Sequence, residues 1–492
     1  VKLFSSSLRK GIAIAGIRGG SGKTLLTIGI IQALIRKGIS VSPFKKGPDY
    51  IDPAWLTHAS GRHCRNLDAY LMPKQKLIET FMKDVSETDI AIVEGNRGLF
   101  DGMDIDGTFS FSELVKLLGI PLILILDCSK SSRTLAAIVH GCETFDKKLT
   151  VNGVILNNIA GERHKNIITD SINKYCRAPI LGFLPRMTLL SLGERHLGLV
   201  PVSEHNDPDM IINALGDAVE KNVDMKALIE ISGAGIKKRI LSPEKISADS
   251  DNTIRPGIIK ITEQERTLSE TESSLRKPCI GVIYDTAFNF YYRENLEALE
   301  SGGGRLILLN SMKDSDIPDI DGLYIGGGFP ETHAKLLNKN FEFRHKLKNL
   351  IEKGLPVYAE CGGLIYLSEA IIENGKNHQM TGVFPFVFEI SDKPVGHGYT
   401  LFEVDVENPF YKKGTAVRGH EFRYSRVVNT VEIDKINTVF NMRKGTGIGN
   451  GRDGILYKNC LATFSHTHAS SENITWMDSL IKLVRDRKSS SN

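Results

Sequence analysis

Tyr358-Ala359-Glu360-Cys361-Gly362-Gly363-Leu364 lies between two readable patterns. The run Pro356-Val357-Tyr358-Ala359 has the composition of a short buried strand, and Gly362, Gly363 and the apolar residues after them begin a helix. A cysteine on a sharp strand-to-helix turn is held out of the core beside helix N–H groups. That setting is expected to lower the thiol pKa and to favour nucleophilic chemistry. A lone cysteine is ordinarily a small buried hydrophobe, but this setting fits a nucleophile elbow. Two further features of the same half support that reading. Gly326-Gly327-Gly328 follows the apolar run Gly322-Leu323-Tyr324-Ile325 and can present the bare N–H groups of Gly327 and Gly328 to an oxyanion. Leu461 to His468 reads as a strand whose end carries His466, a candidate base for Cys361.

Working outward, Cys279 to Tyr284 and Arg305 to Leu309 add strands to the same half, which predicts an α/β domain from 277 to 485 with a short tail at 486–492. Upstream, 236–276 is rich in Ser, Asp, Glu, Lys and Pro without apolar periodicity and reads as a solvated linker. Residues 1–235 form the other predicted domain. There the apolar run Gly11-Ile12-Ala13-Ile14-Ala15 leads into Gly16-Ile17-Arg18-Gly19-Gly20-Ser21-Gly22-Lys23-Thr24, and Leu25 to Arg36 has helical spacing. Strand, glycine loop, Gly-Lys-Thr and helix form the setting of a phosphate-binding P-loop, one residue longer here than the strict spacing. Gly20 and Gly22 would turn backbone N–H groups toward phosphates, Lys23 would reach the terminal phosphates, and Thr24 would ligate Mg²⁺.

Asp89 to Gly95, Pro121 to Asp127 and Val151 to Asn157 are further apolar strands, each separated by helical stretches. A parallel sheet covered on both faces is expected, with sites at the strand carboxyl ends, where Glu94, Asp127 and Asn157 fall. Glu94 is placed to hold the metal. Phe44 to Pro53, with Lys45, Asp49, Tyr50 and Asp52, reads as a loop, as does Gly98 to Gly102 with Asp101. Both would project from the P-loop edge of the sheet. Asp68 and Tyr70 read as packing or capping residues.

Bulk composition narrows the function classes. The 492 residues are 41% hydrophobic and 24% charged with a net charge of +4, so two or three domains are expected and nucleic-acid binding has no basic stripe behind it. Seven scattered cysteines without a CxxC pair fit reduced thiols. No apolar run reaches membrane-spanning length and no secretory signal is read at the start, so a cytoplasmic protein without membrane partners is expected.

Six motifs in order carry a family resemblance: the P-loop, Gly47 to Pro53, Glu94 to Gly102, Ala287 to Leu296, Gly322 to Glu331, and Arg418 to Ser425. The chain resembles the cobyrinic acid a,c-diamide synthase family, in which a dethiobiotin-synthetase-like P-loop ATPase is joined to a flavodoxin-like class I glutamine amidotransferase. The resemblance implies ATP and Mg²⁺ as cofactors, L-glutamine as amide donor and a tetrapyrrole polycarboxylate as acceptor, with room for a homodimer. It implies that Cys361 attacks glutamine, His466 is the base and Gly327-Gly328 holds the oxyanion. It places Lys23 and Lys45 on phosphate charge and metal on Thr24, Asp52 and Glu94. Asp49, Tyr50, Asp52 and Asp101 fall at positions tied to metal binding, substrate placement or acyl-phosphate formation, and Asn157 where adenine is read. Ordinary class I enzymes carry glutamate two residues after the histidine; His468 stands there, which implies slow glutamine turnover. Asn96, Arg97, Arg18 and Arg423 depart from the family's usual residues, and Arg97 is a candidate partner for a substrate carboxylate. Sirohydrochlorin, its nickel complex and sirohaem are the alternative acceptors. A P-loop ATPase or regulatory protein with an inactive amidotransferase domain is the alternative of a different class.

Overall fold

Gly11–Gly16 is buried along its whole length, as a strand of aliphatic residues must be when helices cover both faces of a parallel sheet. It is β1 of the first sheet in the computed structural model, which describes residues 10–85, 88–186, 194–195, 198–233, 277–429 and 436–491. The expected linker, 236–276, lies outside the described residues. Contacts divide the chain into two units, one built on each large sheet, with Tyr70–Pro73 belonging to the second.

The first sheet also contains β2 (Val41–Lys46), β3 (Arg65–Leu67), β4 (Ile90–Gly98), β5 (Leu122–Asp127), β6 (Val151–Ile159) and β7 (Ile180–Pro185). Its order is β3-β2-β4-β1-β5-β6-β7, and every neighbouring pair is parallel. With β1 flanked by β4 and β5, the loop after β1 opens beside the carboxyl ends of both neighbours. Helix α1 (Lys23–Arg36) starts directly after that loop.

Phe44 to Pro53 is not one loop. Phe44, Lys45 and Lys46 are the buried end of β2, and Ile51, Asp52 and Pro53 open helix α2 (Ile51–Ser60). The lysines disguise a strand because both are buried against partners rather than solvated, and Pro53 is tolerated because first-turn N–H groups have no helical acceptor. Only Gly47 to Tyr50 remains as connection.

The large sheet of the second unit has nine strands. Arg305–Leu309, Cys279–Ile283, Gly322–Ile325, Val357–Glu360 and Cys460–Thr463 run parallel in that spatial order. Arg452–Tyr457, Thr438–Lys444, Gly396–Val404 and Ala416–Arg423 extend the sheet antiparallel. The strand before Cys361 therefore lies between the strand before the glycine loop and the strand before His466. The strand near His466 ends at Thr463, earlier than the sequence suggests. His466 instead pairs by backbone with His420, at 3.0 and 2.7 Å. Helix Trp476–Ser491 closes the chain where a tail was expected.

Candidate active sites

At the first site, register does much of the positioning. Lys45 on β2 is paired with Glu94 on β4, so their side chains meet at the sheet edge. Lys45 Nζ donates to Glu94 Oε1 at 2.5 Å and to Asp52 Oδ2, and lies 3.7 Å from Asp49 Oδ2. Burial lowers the pKa of an ammonium group, yet here Asp52, Glu94 and Asp49 reverse that and hold Lys45 well above its usual value. Burial likewise pushes Asp52 up, and Lys45 more than compensates, leaving it lowered. Asp49 is pushed up to about 7 by burial and by the neighbouring Asp52 charge.

Thr24 Oγ1 donates to Glu94 Oε1 at 2.8 Å and sits 3.2 Å from Asp52 Oδ2. Lys23 is buried and donates to the Arg18 carbonyl at 2.9 Å; burial lowers its pKa, with Glu94 opposing. Gly22 has φ 84°, and a Cβ there would run into Nδ2 of Asn157. That amide donates to the Ser21 carbonyl at 3.1 Å, so Asn157 buttresses the loop from β6. Arg18 reaches Asp127 at 2.9 Å. Asp101 Oδ2 accepts from Gly98 N–H at 3.0 Å, a turn contact at the end of β4. Arg97 is exposed on the same strand, and Tyr50 precedes α2 as its cap residue.

Sequence reasoning missed Asn66 on β3. Its Nδ2 donates to the carbonyls of Gly47 and Asp49, at 2.8 and 2.7 Å, and fixes the connection that carries Asp49. Asp49 Oδ1 in turn accepts from the N–H groups of Ile51 and Asp52 and starts α2.

At the second site Cys361 has φ 48° and ψ −99°, a strained conformation for a non-glycine residue and the mark of a nucleophile elbow. Its N–H donates to the Thr463 carbonyl at 2.7 Å. The thiol pKa is not lowered. Burial raises it, Glu331 adds to the rise, and Arg423 opposes. The helix after it, Gly362–Leu367, is one short buried turn and a half, too little to outweigh desolvation. His466 is also buried, and burial lowers it to about 3. Thiol and imidazole both rest neutral.

The glycines fit around this pair. A Cβ at Gly327 would collide with Cε1 of His466. A Cβ at Gly362 would stand 3.0 Å from the Gly328 nitrogen, so the glycine loop, the nucleophile turn and the histidine converge. Gly327→Ala is expected to displace the imidazole and lower turnover at Cys361 about 100-fold, as small misplacements of reacting groups do. Steady-state kinetics measures this, and unchanged turnover would separate the loop from the histidine.

Two family models match the two units. Residues 12–200 match the CobQ/CobB/MinD/ParA nucleotide binding domain, and residues 279–474 the CobB/CobQ-like glutamine amidotransferase domain. The cobyrinate a,c-diamide synthase of Magnetococcus marinus is 35% identical over 97% of this chain and 97% of its own. That of Archaeoglobus fulgidus is 36% identical over 94% of each chain. The chain belongs to the cobyrinate a,c-diamide synthase family. PurLQS from Thermotoga maritima is a solved structure with 18% identity, covering 43% of this chain and 100% of its own, at a TM-score of 0.33.

In this member of the cobyrinate a,c-diamide synthase family, Glu360 beside the cysteine and Tyr324 and Asn295 within two of the family motifs carry no role that is legible from the sequence. Tyr324 Oη donates to Glu360 Oε2 at 2.8 Å, and Asn295 Nδ2 reaches Tyr324 Oη at 3.3 Å and the Thr467 carbonyl at 2.8 Å. Adjacency of Glu360 to Cys361 was the available signal. His468, at the position of the usual glutamate, lies 3.5 Å from Glu294.

Proposed function

We propose that this chain uses ATP and glutamine to convert the a and c carboxylates of cobyrinate into carboxamides in the cytoplasm. The observation that carries this reading is the cationic and oxygen cluster of Lys23, Thr24, Lys45, Asp52 and Glu94 beside the P-loop, in one chain with the Cys361–His466 elbow.

The cluster fits Mg²⁺. Glu94 is fully buried, and its Oε2 has no hydrogen-bond partner among the described residues. Thr24 Oγ1 lies beside its other oxygen, and Asp52 Oδ2 lies beside Thr24 Oγ1, giving an oxygen set suited to a hard cation. Among the described residues no cluster of His, Cys, Asp and Glu forms an all-protein cage. Nucleotide phosphates and water would have to complete the site. Bound Mg²⁺ would neutralise phosphate charge as it develops. The protein's part is positioning. Lys23 and the loop N–H groups, with Gly20 and Gly22 shaping the turn, hold the phosphates, and Lys45 balances charge where the substrate carboxylate attacks the γ-phosphate. Asp49, Tyr50 and Asp101 belong with substrate placement and acyl-phosphate formation, and Asn157 with the adenine side.

Ammonia would come from the second unit. As Sγ attacks the glutamine amide carbon, its proton passes to His466, and the N–H groups of Gly327 and Gly328 receive the oxyanion. The same proton leaves on ammonia, and water then releases glutamate from the thioester. Ammonia displaces phosphate from the acyl phosphate and leaves a carboxamide.

One observation favours the sirohydrochlorin-type acceptors as a second reading. Of the arginines that depart from the family's pattern, Arg423 is buried over Phe464 and Arg18 is tied to Asp127, but Arg97 is exposed at the end of β4. Mass spectrometry of reactions with ATP, Mg²⁺ and glutamine decides between acceptors. Two successive amidation steps on cobyrinate are expected. Amidation confined to sirohydrochlorin, its nickel complex or sirohaem would overturn the acceptor, and ATP hydrolysis with no amidation would overturn the synthase reading.

A further inference from the structure

A buried neutral thiol and a buried neutral imidazole create a problem that the reaction must solve. When the proton leaves Sγ, an imidazolium forms at a site 2% exposed, and a buried cation needs a compensating charge. Ordinary class I enzymes supply it two residues after the histidine; here that residue is His468, a second imidazole. Glu360 is the carboxylate that is present. Its Oε2 lies 3.8 Å from His466 Nδ1, and the two side chains are 1% and 2% exposed. We infer that Glu360, the residue before the nucleophile, orients His466 and balances its charge in place of the missing third member of the triad. This inference rests on the glutaminase reading of the Cys361 site.

Three donors converge on the Glu360 carboxylate. Oε1 accepts from the N–H and Oγ1 of Thr467, both at 3.0 Å, and Oε2 accepts from Tyr324. Those donors are themselves held: Trp476 Nε1 donates to Thr467 Oγ1 at 3.0 Å, and Asn295 touches both Tyr324 and the Thr467 carbonyl. Oε2 is thus aimed, with room left to accept from imidazole. The 3.8 Å separation is long for a hydrogen bond, as catalytic contacts commonly are before substrate binds. A purely packing role would not explain why a carboxylate occupies this site, since burying one is costly without a cation to meet.

Glu360 also titrates in a useful range. Burial raises its pKa to about 7, against the donors from Thr467 and Tyr324. The titratable groups facing it are His466 and the phenols of Tyr291, Tyr324, Tyr358 and Tyr411. Burial raises all four phenols, so they stay neutral. Below about 7 the protonated Glu360 cannot balance an imidazolium, so glutamine hydrolysis should fall on the acid side.

The test is steady-state glutamine hydrolysis by the full chain from about pH 5.5 to about pH 9, for wild type, Cys361→Ala, Glu360→Gln, Glu360→Asp and Tyr324→Phe. Glu360→Gln should lower kcat about 100-fold, leave KM for glutamine unchanged and abolish the acid limb near neutrality. Glu360→Asp should recover part of the loss. Tyr324→Phe removes a donor that stabilises the carboxylate, so its acid limb should move to higher pH. Turnover by Glu360→Gln within about twofold of wild type, or a loss with the acid limb intact, overturns the role of Glu360 while the glutaminase stands. Should Glu360→Gln lack a cooperative melt, the Tyr324→Phe limb decides: an unmoved limb is the overturning result. No hydrolysis by wild type, or wild-type hydrolysis by Cys361→Ala, would overturn the glutaminase reading and this inference together.

Discussion

Cys361→Ala should abolish glutamine-dependent amidation, by a factor on the order of 10⁴ or more, and leave amidation with free ammonia near its wild-type rate. The split follows from the two sites. Without Sγ no thioester forms, and the buried His466 and glycine loop have no attacking atom to serve. The P-loop cluster has lost nothing, because Lys23, Thr24, Lys45, Asp52 and Glu94 all belong to the first unit. Alanine also fits the turn: Cys361 already carries a side chain at φ 48°, so the substitution adds no new backbone strain. Rates with glutamine and with an ammonium salt, side by side, check the split. Equal loss with both donors would mean that the cysteine supports the fold rather than the chemistry.

Glycine loops and elbows were readable because their requirements are local. Gly22 must be glycine for its φ and for the closeness of Asn157, and the Gly-Lys-Thr that follows declares why. Cys361 announced its turn through the strand before it and the glycines after it. What stayed hidden was long-range or depended on burial. Lys45 and Lys46 look solvated until β3 and β4 enclose the strand that bears them. The four antiparallel strands of the second sheet alternate weakly and give no sign of which edge they join. Glu360 meets Thr467 across 107 residues and Tyr324 across 36, distances at which no local pattern speaks. The thiol pKa went the wrong way in the sequence reading for the same reason: helix N–H groups are visible in a sequence, and complete burial is not.

Lys45→Ala tests the first site in the opposite manner, since it should stop amidation with either nitrogen donor and also destabilise the unit that carries it. Nζ is the shared cation of three carboxylates, Asp49, Asp52 and Glu94. Removing one partner from such a buried cluster typically costs about 3–5 kcal/mol, because the remaining charges are left without compensation. For a unit of this size that is a fall in Tm of about 10 °C. The pH dependence has a definite sign. Without Lys45 the carboxylates would have folded-state pKa values above their unfolded ones, so the deficit is greatest at high pH and fades as pH falls toward about 4. Added Mg²⁺ should return part of the lost stability, since a divalent cation can take up the charge that Nζ balanced. Thermal melts of wild type and Lys45→Ala at two pH values, with and without Mg²⁺, check all three effects. A variant that melts like wild type in metal-free buffer at alkaline pH would show that the carboxylates do not depend on Lys45. A destabilised variant that Mg²⁺ leaves unchanged would instead count against Glu94 and Asp52 as metal ligands.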